Sequence, residues 1–293
     1  MIVMSIGVFD GVHVGHETIL KMLIDMGRRK KAKTLVLTIL YPMDYYRQNF
    51  DGLITSVTER ISILQERIDM VETLDLIEVK DLDPHTFFKE WIEKREVVGL
   101  VVGEDFRFGK GGVGDVNLLE KLCKDSDIEL VVARDVKIDG RRVSSSVIRR
   151  LVREGKVEEA ARFLGRPFKI TGKVYRDTGL GHKIGFPTAN IDRGHEFLVI
   201  PRFGVYSAKV TLPWGEERVG VANIGTRPTI GGEDVKYEVH ILDFDGDLYG
   251  RFLEMNLIKF LRPEKKFRSL EELKEAISED VKKVKEQVEE FLV

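Results

Sequence analysis

The chain is poor in cysteine, proline and long apolar runs. Its 293 residues include one cysteine and eight prolines. Cys123 has no partner for an internal disulfide, so a disulfide-stapled fold is excluded, and its periodic apolar surroundings predict a small buried side chain. No apolar run is long enough to span a bilayer and no cleavable leader is recognisable. We therefore expect a cytoplasmic protein without a membrane partner.

Neither sign of charge dominates. The chain has 47 Lys and Arg residues against 49 Asp and Glu residues, a formal net charge of −2. This balance provides no broad basic surface for nucleic acid or anionic lipid, so we expect small-molecule partners and no nucleic acid. The length predicts two domains, each with its own core. The sequence carries no signal for an oligomeric state.

Residues 1–157 are predicted to form an α/β domain with a parallel sheet. Short continuous apolar runs alternate with helical periods, which is the pattern of strands buried on both faces. A helix is predicted over 84–94 with Asp83 as its N-cap. The predicted strands are 2–6, 34–40, 74–79, 97–102 and 128–133.

Residues 158–293 are predicted to form an antiparallel β-barrel with a C-terminal helix. From about residue 168 apolar and polar side chains alternate and turn signals separate the runs, as in a barrel. A connecting helix is predicted over 157–164. The final helix is predicted to begin at Ser269, which with Glu272 makes a capping box, and to pack its apolar stripe on the barrel.

The segment GVFDGVHVGH, 7–16, links the first strand to a helical pattern. A helix N-terminus offers unpaired N–H groups and partial positive charge, and Gly7, Gly11 and Gly15 let the backbone approach an anion. His13 and His16 can each donate a hydrogen bond to a phosphate oxygen there, so the segment predicts a phosphate site. Two alternatives are a metal site, for which no further ligands lie nearby, and a helix start with incidental histidines.

Two further segments of the first half predict ligand contacts. GEDFRFG, 103–109, follows a predicted strand at the sheet edge where open α/β folds bind ligands; an ordinary turn capped by Asp105 is the alternative. VSSSVIR, 143–149, places three hydroxyls at a helix start and Arg149 one turn later, although serine N-capping explains part of this pattern. GKGGVG, 109–114, matches a dinucleotide fingerprint but does not follow its strand directly, so we interpret it as a loop.

In the second half, GHKIGFPTAN, 181–190, joins a glycine-rich loop to Thr188 and Asn190. Two residues apart on an extended segment, these side chains face the same side, and their oxygens can share one Mg²⁺. A hairpin with turn residues is the alternative. In YEVHIL, 237–242, alternation separates Glu238 and His240 from Tyr237, and a solvated outward glutamate is the alternative to a functional one.

These segments resemble, in order and approximate spacing, the motifs of the bacterial bifunctional riboflavin kinase/FAD synthetases. The first half resembles their HxGH-superfamily adenylyltransferase through GxFDGxHxGH, GxDFxFG and SSTxIR. The second half resembles their riboflavin kinase through GFPTAN, YEVHILDF and LRPEKKF. The resemblance implies a Rossmann-like nucleotidyltransferase domain and a kinase barrel, which convert riboflavin to FMN and FMN to FAD with ATP and Mg²⁺.

The resemblance also implies residue roles. Glu238 is expected to be the base that takes the proton of the riboflavin 5′-hydroxyl, and His13, His16 and Arg149 are expected to act in adenylyl transfer. Flavin contacts are expected from Asp105, Phe106, Arg262 and Phe267, and Mg²⁺ contacts from Thr188 and Asn190. The expected ATP contacts are Gly7, Phe9, Asp10, Gly11, Gly15, Ser144, Ser145, Ser146, Gly181, Gly185, Pro187 and Thr188.

The chain departs from the family pattern at four positions. Met43 replaces the histidine of a Pro-His-Pro element near the flavin phosphate, whereas Ser146 replaces a threonine and keeps the hydroxyl. Asp177 and His182 replace a glycine and an arginine. Because histidine is charged only below about pH 6.5, weaker ATP binding by the kinase half is expected.

Two other functions stay open at this point. One is adenylylation of a different small phosphate, combined with a barrel that only binds a ligand. The other is a non-catalytic flavin sensor. The neutral charge and the GFPTAN segment argue against the first, and the presence of both Glu238 and the HxGH motif argues against the second.

Overall fold

The computed structural model describes residues 1–46, 48–177, 181, 184–229 and 232–291, with side chains except those of 227–229, 232, 233 and 287–291. The chain divides into two compact units, Met1–Ile148 and Arg149–Val293. This division falls inside the helix Ser145–Arg153. The domain boundary expected after residue 157 stays a prediction.

The first unit is built on a five-stranded parallel sheet. Its strands are β1 (Ile2–Gly7), β2 (Lys33–Ile39), β3 (Met70–Leu74), β4 (Val97–Gly103) and β5 (Glu129–Ala133). The spatial order is β3-β2-β1-β4-β5, and each neighbouring pair is parallel. The strand order reverses between β1 and β4, and open α/β sheets bind ligands at the carboxyl ends of strands at such a point.

Helices cover both faces of this sheet. They are α1 (Val14–Lys30), α2 (Val57–Gln65), α3 (Leu76–Val79), α4 (Pro84–Trp91) and α5 (Val116–Asp125), and the hairpin of β6 (Lys137–Ile138) and β7 (Arg141–Arg142) precedes α6 (Ser145–Arg153). Val3 packs with α1 and α2, whereas Met4, its neighbour on β1, packs with α4 and α5. The predicted burial of the sheet on both faces is therefore confirmed.

Cys123 lies in the core on the α5 side, as expected. Its side chain is 1% exposed, and burial raises the pKa of its thiol to about 12. The thiol is therefore a packing group in the core.

One predicted strand of the first unit is wrong. The strand expected over 74–79 lies earlier, over Met70–Leu74, and the residues Leu76–Val79 form α3. The Asp75 carboxylate accepts a hydrogen bond from the Ile77 N–H at 2.9 Å, so an N-cap inside the apolar run turns the chain from strand to helix. The other four strands agree with their predicted bounds to within one residue at each end.

The helix predicted over 84–94 has the expected start and an earlier end. The Asp83 carboxylate caps it by accepting hydrogen bonds from the N–H groups of His85 and Thr86. The helix ends at Trp91, and Glu93–Arg95 form a separate 3₁₀ turn.

The second unit contains a closed antiparallel barrel, as predicted. Its strands are β8 (Phe168–Tyr175), β9 (Ala189–Asp192), β10 (Gly204–Thr211), β11 (Glu217–Thr229), β12 (Gly232–Ile241) and β13 (Phe252–Pro263). Their order around the barrel is β10-β11-β12-β9-β8-β13. The helix α7 (Val157–Leu164) precedes the barrel and has its predicted bounds. Its C-cap is Gly165, whose φ is 79°.

The last helix, α8 (Leu270–Phe291), packs on β10 and β11. Val284 is fully buried against apolar side chains of the barrel and Val281 packs beside it, as the apolar stripe predicts, whereas Leu270 is 52% exposed. Half of the predicted capping box is present. Ser269 Oγ accepts from the Glu272 N–H at 3.2 Å, but the Glu272 carboxylate accepts from the Arg268 N–H. No helix among the described residues is long and apolar enough to cross a membrane.

Candidate active sites

The loop from β1 into α1 forms the first candidate site around two histidines. His13 is the N-cap of α1, and its Nδ1 accepts a hydrogen bond from the His16 N–H at 3.3 Å. In return, the Nδ1 of His16 accepts from the His13 N–H at 3.4 Å, and the two rings stack with centroids 3.6 Å apart. The two histidines therefore form a reciprocal capping box, a role usually filled by Ser or Thr with Glu or Gln.

This capping box determines the tautomer of both rings. An Nδ1 that accepts from a backbone N–H carries no proton, so the proton of each neutral ring lies on Nε2. Each Nε2–H is then a donor that suits an anion with several oxygens. The described residues contain no group of three or more His, Cys, Asp or Glu placed to hold a metal.

Phe9 supports the histidine pair from within the loop. Its backbone has φ 54°, a value that residues with a side chain rarely adopt. Its ring is 2% exposed and lies 5.0 Å from the His16 ring, measured between centroids. A Cβ on Gly7 would lie 3.2 Å from the Phe9 ring. Such strain is kept where the surrounding packing enforces it, as it does at many functional sites.

Two glycines of this loop are required by close packing. Gly11 has φ 80°, and a Cβ there would lie 3.0 Å from the Ile54 side chain. A Cβ on Gly15 would lie 3.1 Å from the His13 ring. The glycines thus allow the loop to close and the ring of His13 to reach its capping position.

The Asp10 carboxylate, for which a contact with ATP is expected, binds the protein backbone. Its side chain is 1% exposed, and its carboxylate accepts from the N–H groups of Ile54 at 2.9 Å and Thr55 at 3.2 Å. The Gly11 N–H donates to Thr55 Oγ1 at 3.2 Å. Asp10 therefore holds the histidine loop against residues 54–55, and its contact with ATP stays a prediction.

Sequence reasoning missed Arg60 on α2. This residue is fully buried, and its guanidinium donates to the carbonyl oxygens of Val8 and Leu40, each at 2.6 Å. Those carbonyls directly follow β1 and β2, so Arg60 holds together the sheet edge at which the loop begins. The sequence offered no signal for it, because most helix arginines are exposed.

The start of α6 lies against the same loop. Ser145 Oγ donates to the Asp10 carbonyl oxygen at 3.0 Å, whereas Ser144 Oγ accepts from a backbone N–H of the first turn at 3.4 Å. Ser144 is thus the helix cap that the alternative interpretation expected, and Ser145 joins α6 to the histidine loop. Ser146 and Arg149 follow on α6, and Arg149 is 8% exposed.

Asp105 and Phe106 follow β4 at the carboxyl end of the sheet. The Asp105 carboxylate accepts from Arg142 Nη2 at 2.5 Å, and Phe106 stacks on Phe108 with centroids 5.7 Å apart. These partners lie on β7 and in the same loop. The dinucleotide interpretation of GKGGVG is excluded, because an antiparallel bridge from Phe108 to Gly114 closes the segment as a loop.

Glu238 on β12 is the centre of the second candidate site. Its Oε1 accepts from Asn223 Nδ2 at 3.1 Å, and its Oε2 lies 2.7 Å from Lys236 Nζ and 3.5 Å from Thr188 Oγ1. The interpretation as a solvated outward glutamate is wrong, since the side chain is 20% exposed and has three polar neighbours. Tyr237 is buried on the other face, as the alternation predicted.

Thr188 and Asn190 place two neutral oxygens near this carboxylate. Asn190 pairs with Glu238 across the β9–β12 ladder and is 6% exposed. Its buried Oδ1 has no hydrogen-bond partner within the part of the chain that the structure describes. Such an atom costs about 1 to 3 kcal/mol when it stays unpaired, and an oxygen-seeking cation would offset that cost. The donor set therefore fits Mg²⁺.

A cavity of about 250 Å³ opens beside Glu238. Its lining combines apolar and aromatic side chains with a few polar groups, as in small-molecule sites. Phe186, Val205, Val221, Asn223, Arg262, Phe267 and Ile277 are among its lining residues. A smaller cavity of about 80 Å³, lined in part by Pro187 and Tyr249, shares Thr188 with the first. Thr188 therefore lies where the two cavities meet.

Gly181, Gly185 and Pro187 shape the glycine-rich loop. The Phe186 N–H donates to the Gly181 carbonyl oxygen at 2.8 Å, and a Cβ on Gly181 would lie 2.4 Å from the Phe186 oxygen. Gly185 has φ 88°. His240 Nδ1, which sequence reasoning left without a role, lies 2.8 Å from the Pro187 oxygen and links the loop to β12.

Arg262 is bound to α8 by a buried carboxylate. Its Nε and Nη2 donate to Asp280 Oδ2 at 3.0 and 2.7 Å, and the Asp280 side chain is 2% exposed. The Arg262 Cζ lies 5.8 Å from the Phe267 ring centroid. Arg262 and Phe267, which are expected to contact the flavin, both line the cavity, and Asp280 engages the guanidinium. The flavin contact stays a prediction.

The residues that depart from the family pattern have different surroundings in the structure. The Asp177 carboxylate lies 3.2 Å from Lys236 Nζ, so this residue forms an ion pair beside Glu238. Met43 is 55% exposed in the 3₁₀ turn Met43–Tyr46. His182 lies outside the described residues, and its effect on ATP binding stays a prediction.

The two halves of the chain match two different family models. Residues 1–147 match FAD synthetase, and residues 164–288 match riboflavin kinase. The bifunctional riboflavin kinase/FMN adenylyltransferase of Escherichia coli (strain K12) is 37% identical over 284 residues, which are 95% of this chain and 90% of the relative. The Haemophilus influenzae protein of the same name is 36% identical and covers 96% of this chain and 92% of its own.

A solved structure is similar over almost the whole chain. It is described as a macrolide-efflux protein from Streptococcus pneumoniae and is 26% identical, with a TM-score of 0.86 over 97% of this chain and 93% of that chain. That description applies to the Streptococcus pneumoniae protein, and the similarity shows a shared fold.

Proposed function

The chain belongs to the bacterial bifunctional riboflavin kinase/FMN adenylyltransferase family, and we propose that it makes both FMN and FAD. The barrel phosphorylates riboflavin, and the first unit adenylylates FMN, with ATP as the donor in both reactions. The observation that carries this proposal is Glu238, a hydrogen-bonded carboxylate at the wall of a cavity with an aromatic lining.

Glu238 acts as the general base of the kinase reaction. It takes the proton of the riboflavin 5′-hydroxyl while the hydroxyl oxygen forms a bond to the γ-phosphorus of ATP. The bond from the γ-phosphorus to the bridging oxygen breaks, and ADP leaves. Phe186 and Phe267 offer ring faces and edges for the isoalloxazine system at the cavity wall.

Thr188 and Asn190 would hold Mg²⁺ through their hydroxyl and amide oxygens. When bound, the ion neutralises charge on the phosphate oxygens of ATP. The buried Asn190 Oδ1 supports this assignment. Because Thr188 belongs to both cavities, we assign the larger one to the flavin and the smaller one to ATP, so that hydroxyl and phosphate meet at Thr188.

The first unit carries out adenylyl transfer without a covalent intermediate. A phosphate oxygen of FMN bonds to the α-phosphorus of ATP, and pyrophosphate leaves with the electrons of the broken bond. The Nε2–H groups of His13 and His16 donate to phosphate oxygens, where negative charge grows in the transition state. Ser145 extends this site to the start of α6, and Asp105 and Phe106 contact the flavin or the nucleotide. The role of Arg149 in adenylyl transfer stays a prediction.

Product analysis tests the proposal. The protein incubated with riboflavin, ATP and Mg²⁺ should form FMN first and FAD later, as resolved by chromatography. With FMN in place of riboflavin it should form FAD and pyrophosphate without ADP. A folded protein that consumes neither flavin would contradict both assignments, and one that converts only FMN would contradict the kinase assignment.

A further inference from the structure

Lys236 connects Glu238 to a second carboxylate, that of Asp177. The Lys236 Nζ lies 2.7 Å from Glu238 Oε2 and 3.2 Å from Asp177 Oδ2. The side chains of Lys236, Asp177 and Glu238 are 22%, 15% and 20% exposed, so water and salt screen them less than surface pairs. Lys236 and Glu238 are two residues apart on β12 and face the same side of the strand.

We propose that Lys236, held by Asp177, is a positioning residue for riboflavin phosphorylation that keeps the Glu238 carboxylate oriented for its role as the base. The inference rests on the proposed function of Glu238. With the ammonium on Oε2 and the Asn223 amide on Oε1, both carboxylate oxygens are engaged and the group cannot rotate without losing a partner.

Lys236 is the cation bound to the Glu238 carboxylate, whereas the cations that line the cavity are bound by other groups. The other titratable or charged groups that line the cavity are His240, Arg262, Glu264, Lys265 and Asp280. Arg262 is engaged by Asp280, Lys265 by Glu272 at 3.0 Å, and His240 by the Pro187 oxygen. Burial lowers the pKa of Lys236, but Glu238 and Asp177 raise it by more. Lys236 therefore stays charged throughout the range in which a glutamate titrates.

The separate effects on kcat and KM of the kinase reaction test this role. Lys236→Met removes the ammonium and keeps an apolar stem. The kcat should fall by about tenfold as the carboxylate loses its orientation. The KM for riboflavin should change by less than about twofold, because Lys236 contacts the two carboxylates and does not line the flavin cavity. Lys236→Arg keeps a cation and should restore most of the kcat.

A double-mutant cycle tests whether Asp177 acts through Lys236. Asp177→Asn should lower kcat in the otherwise unchanged protein and should have no further effect in the Lys236→Met background. Lys209→Met is the matched control, because it breaks another barrel ion pair, with Glu217 at 2.8 Å, and should leave kcat and KM unchanged.

The outcomes separate this inference from the proposed function. A folded Lys236→Met variant with an unchanged kcat, or with a loss of kcat that Lys236→Arg does not reverse, overturns the positioning role. Additive effects of Asp177→Asn and Lys236→Met overturn the role of Asp177. Lys236→Gln serves the same test if the methionine variant does not fold. An active Glu238→Gln variant would instead overturn the function assigned to Glu238.

Discussion

At the scale of single residues, His13 and His16 each combine a structural and a chemical role. Each Nδ1 accepts a backbone N–H at the start of α1, and each Nε2 is thereby left with the proton that a phosphate oxygen accepts. Substitution by alanine removes both the capping atom and the donor at once. Asparagine or glutamine keeps a capping oxygen but lacks the Nε2–H donor, so these substitutions separate the two functions.

His13→Asn is expected to keep the fold and to abolish most FAD synthesis. Asparagine is a strong N-cap, so its side-chain oxygen can replace Nδ1 while the Nε2–H donor is lost. The rate of FAD formation from FMN should fall about 10²- to 10³-fold, with an unchanged rate of FMN formation. His16→Gln should behave alike, since glutamine at the third helical position completes a capping box. A wild-type rate of FAD synthesis in either variant would show that the substituted histidine acts only as a helix cap.

Glu238→Gln is expected to lower the kinase activity and to leave FAD synthesis intact. The substitution keeps the size of the side chain and removes the base, so riboflavin phosphorylation should slow by about 10²- to 10⁴-fold. FAD synthesis from supplied FMN should continue at the wild-type rate and serves as the internal control. Equal losses in both assays would indicate misfolding, which a thermal melt detects.

At the scale of elements, a buried ion pair and an exposed ion pair each join α8 to the rest of the second unit. Arg262 on β13 contacts Asp280, which is 2% exposed, whereas Lys285 contacts Asp243 with both side chains more than half exposed. The two pairs allow a direct comparison, since each links the same helix to the rest of the same unit. Their different burial predicts different contributions to stability.

Asp280→Asn is expected to destabilise the protein, and Asp243→Asn to have little effect. Loss of the buried carboxylate leaves Arg262 with a poorer partner and should lower the free energy of unfolding by about 2 to 4 kcal/mol. The exposed control should change it by less than about 0.5 kcal/mol. Denaturant unfolding measures both values. Similar losses in the two variants would contradict the role of burial.

The elements also show the limit of periodic patterns. The apolar run at 74–79 contains Leu74, Leu76, Ile77 and Val79, which suits either a strand or a short helix. Asp75 settles the outcome in favour of a helix, because its carboxylate caps the first turn. Periodicity gave correct bounds where a run was long and uniform, and failed where one capping residue interrupted it.

At the scale of the whole molecule, each unit has its own core, and the histidine pair and Glu238 lie in different units. The phosphate loop with His13 and His16 lies in the first unit, and Glu238 with its cavity lies in the second. Units that own their cores often fold independently. The two activities should therefore be separable.

A fragment of residues 145–293, which keeps all of α6, is expected to phosphorylate riboflavin and to form no FAD at any FMN concentration. A fragment of residues 157–293 lacks the Val152 carbonyl oxygen that accepts from the Arg202 N–H at 3.2 Å, and it should be about 1 kcal/mol less stable. Chromatography and thermal melts measure these differences. A folded fragment without kinase activity would mean that the barrel site needs residues of the first half.

The sequence by itself determined the two architectures and the positions of the reactive groups. Burial pattern is local information, so continuous apolar runs specify a parallel sheet with two covered faces, and alternation specifies a barrel. Only the tertiary structure decided the partners of Asp10, Arg60, Glu238 and Arg262. Asp10 binds a segment 44 residues away, Arg60 a carbonyl 52 residues away and Arg262 a carboxylate 18 residues away. Such pairings arise when separate elements pack together, and no local pattern of side chains encodes them.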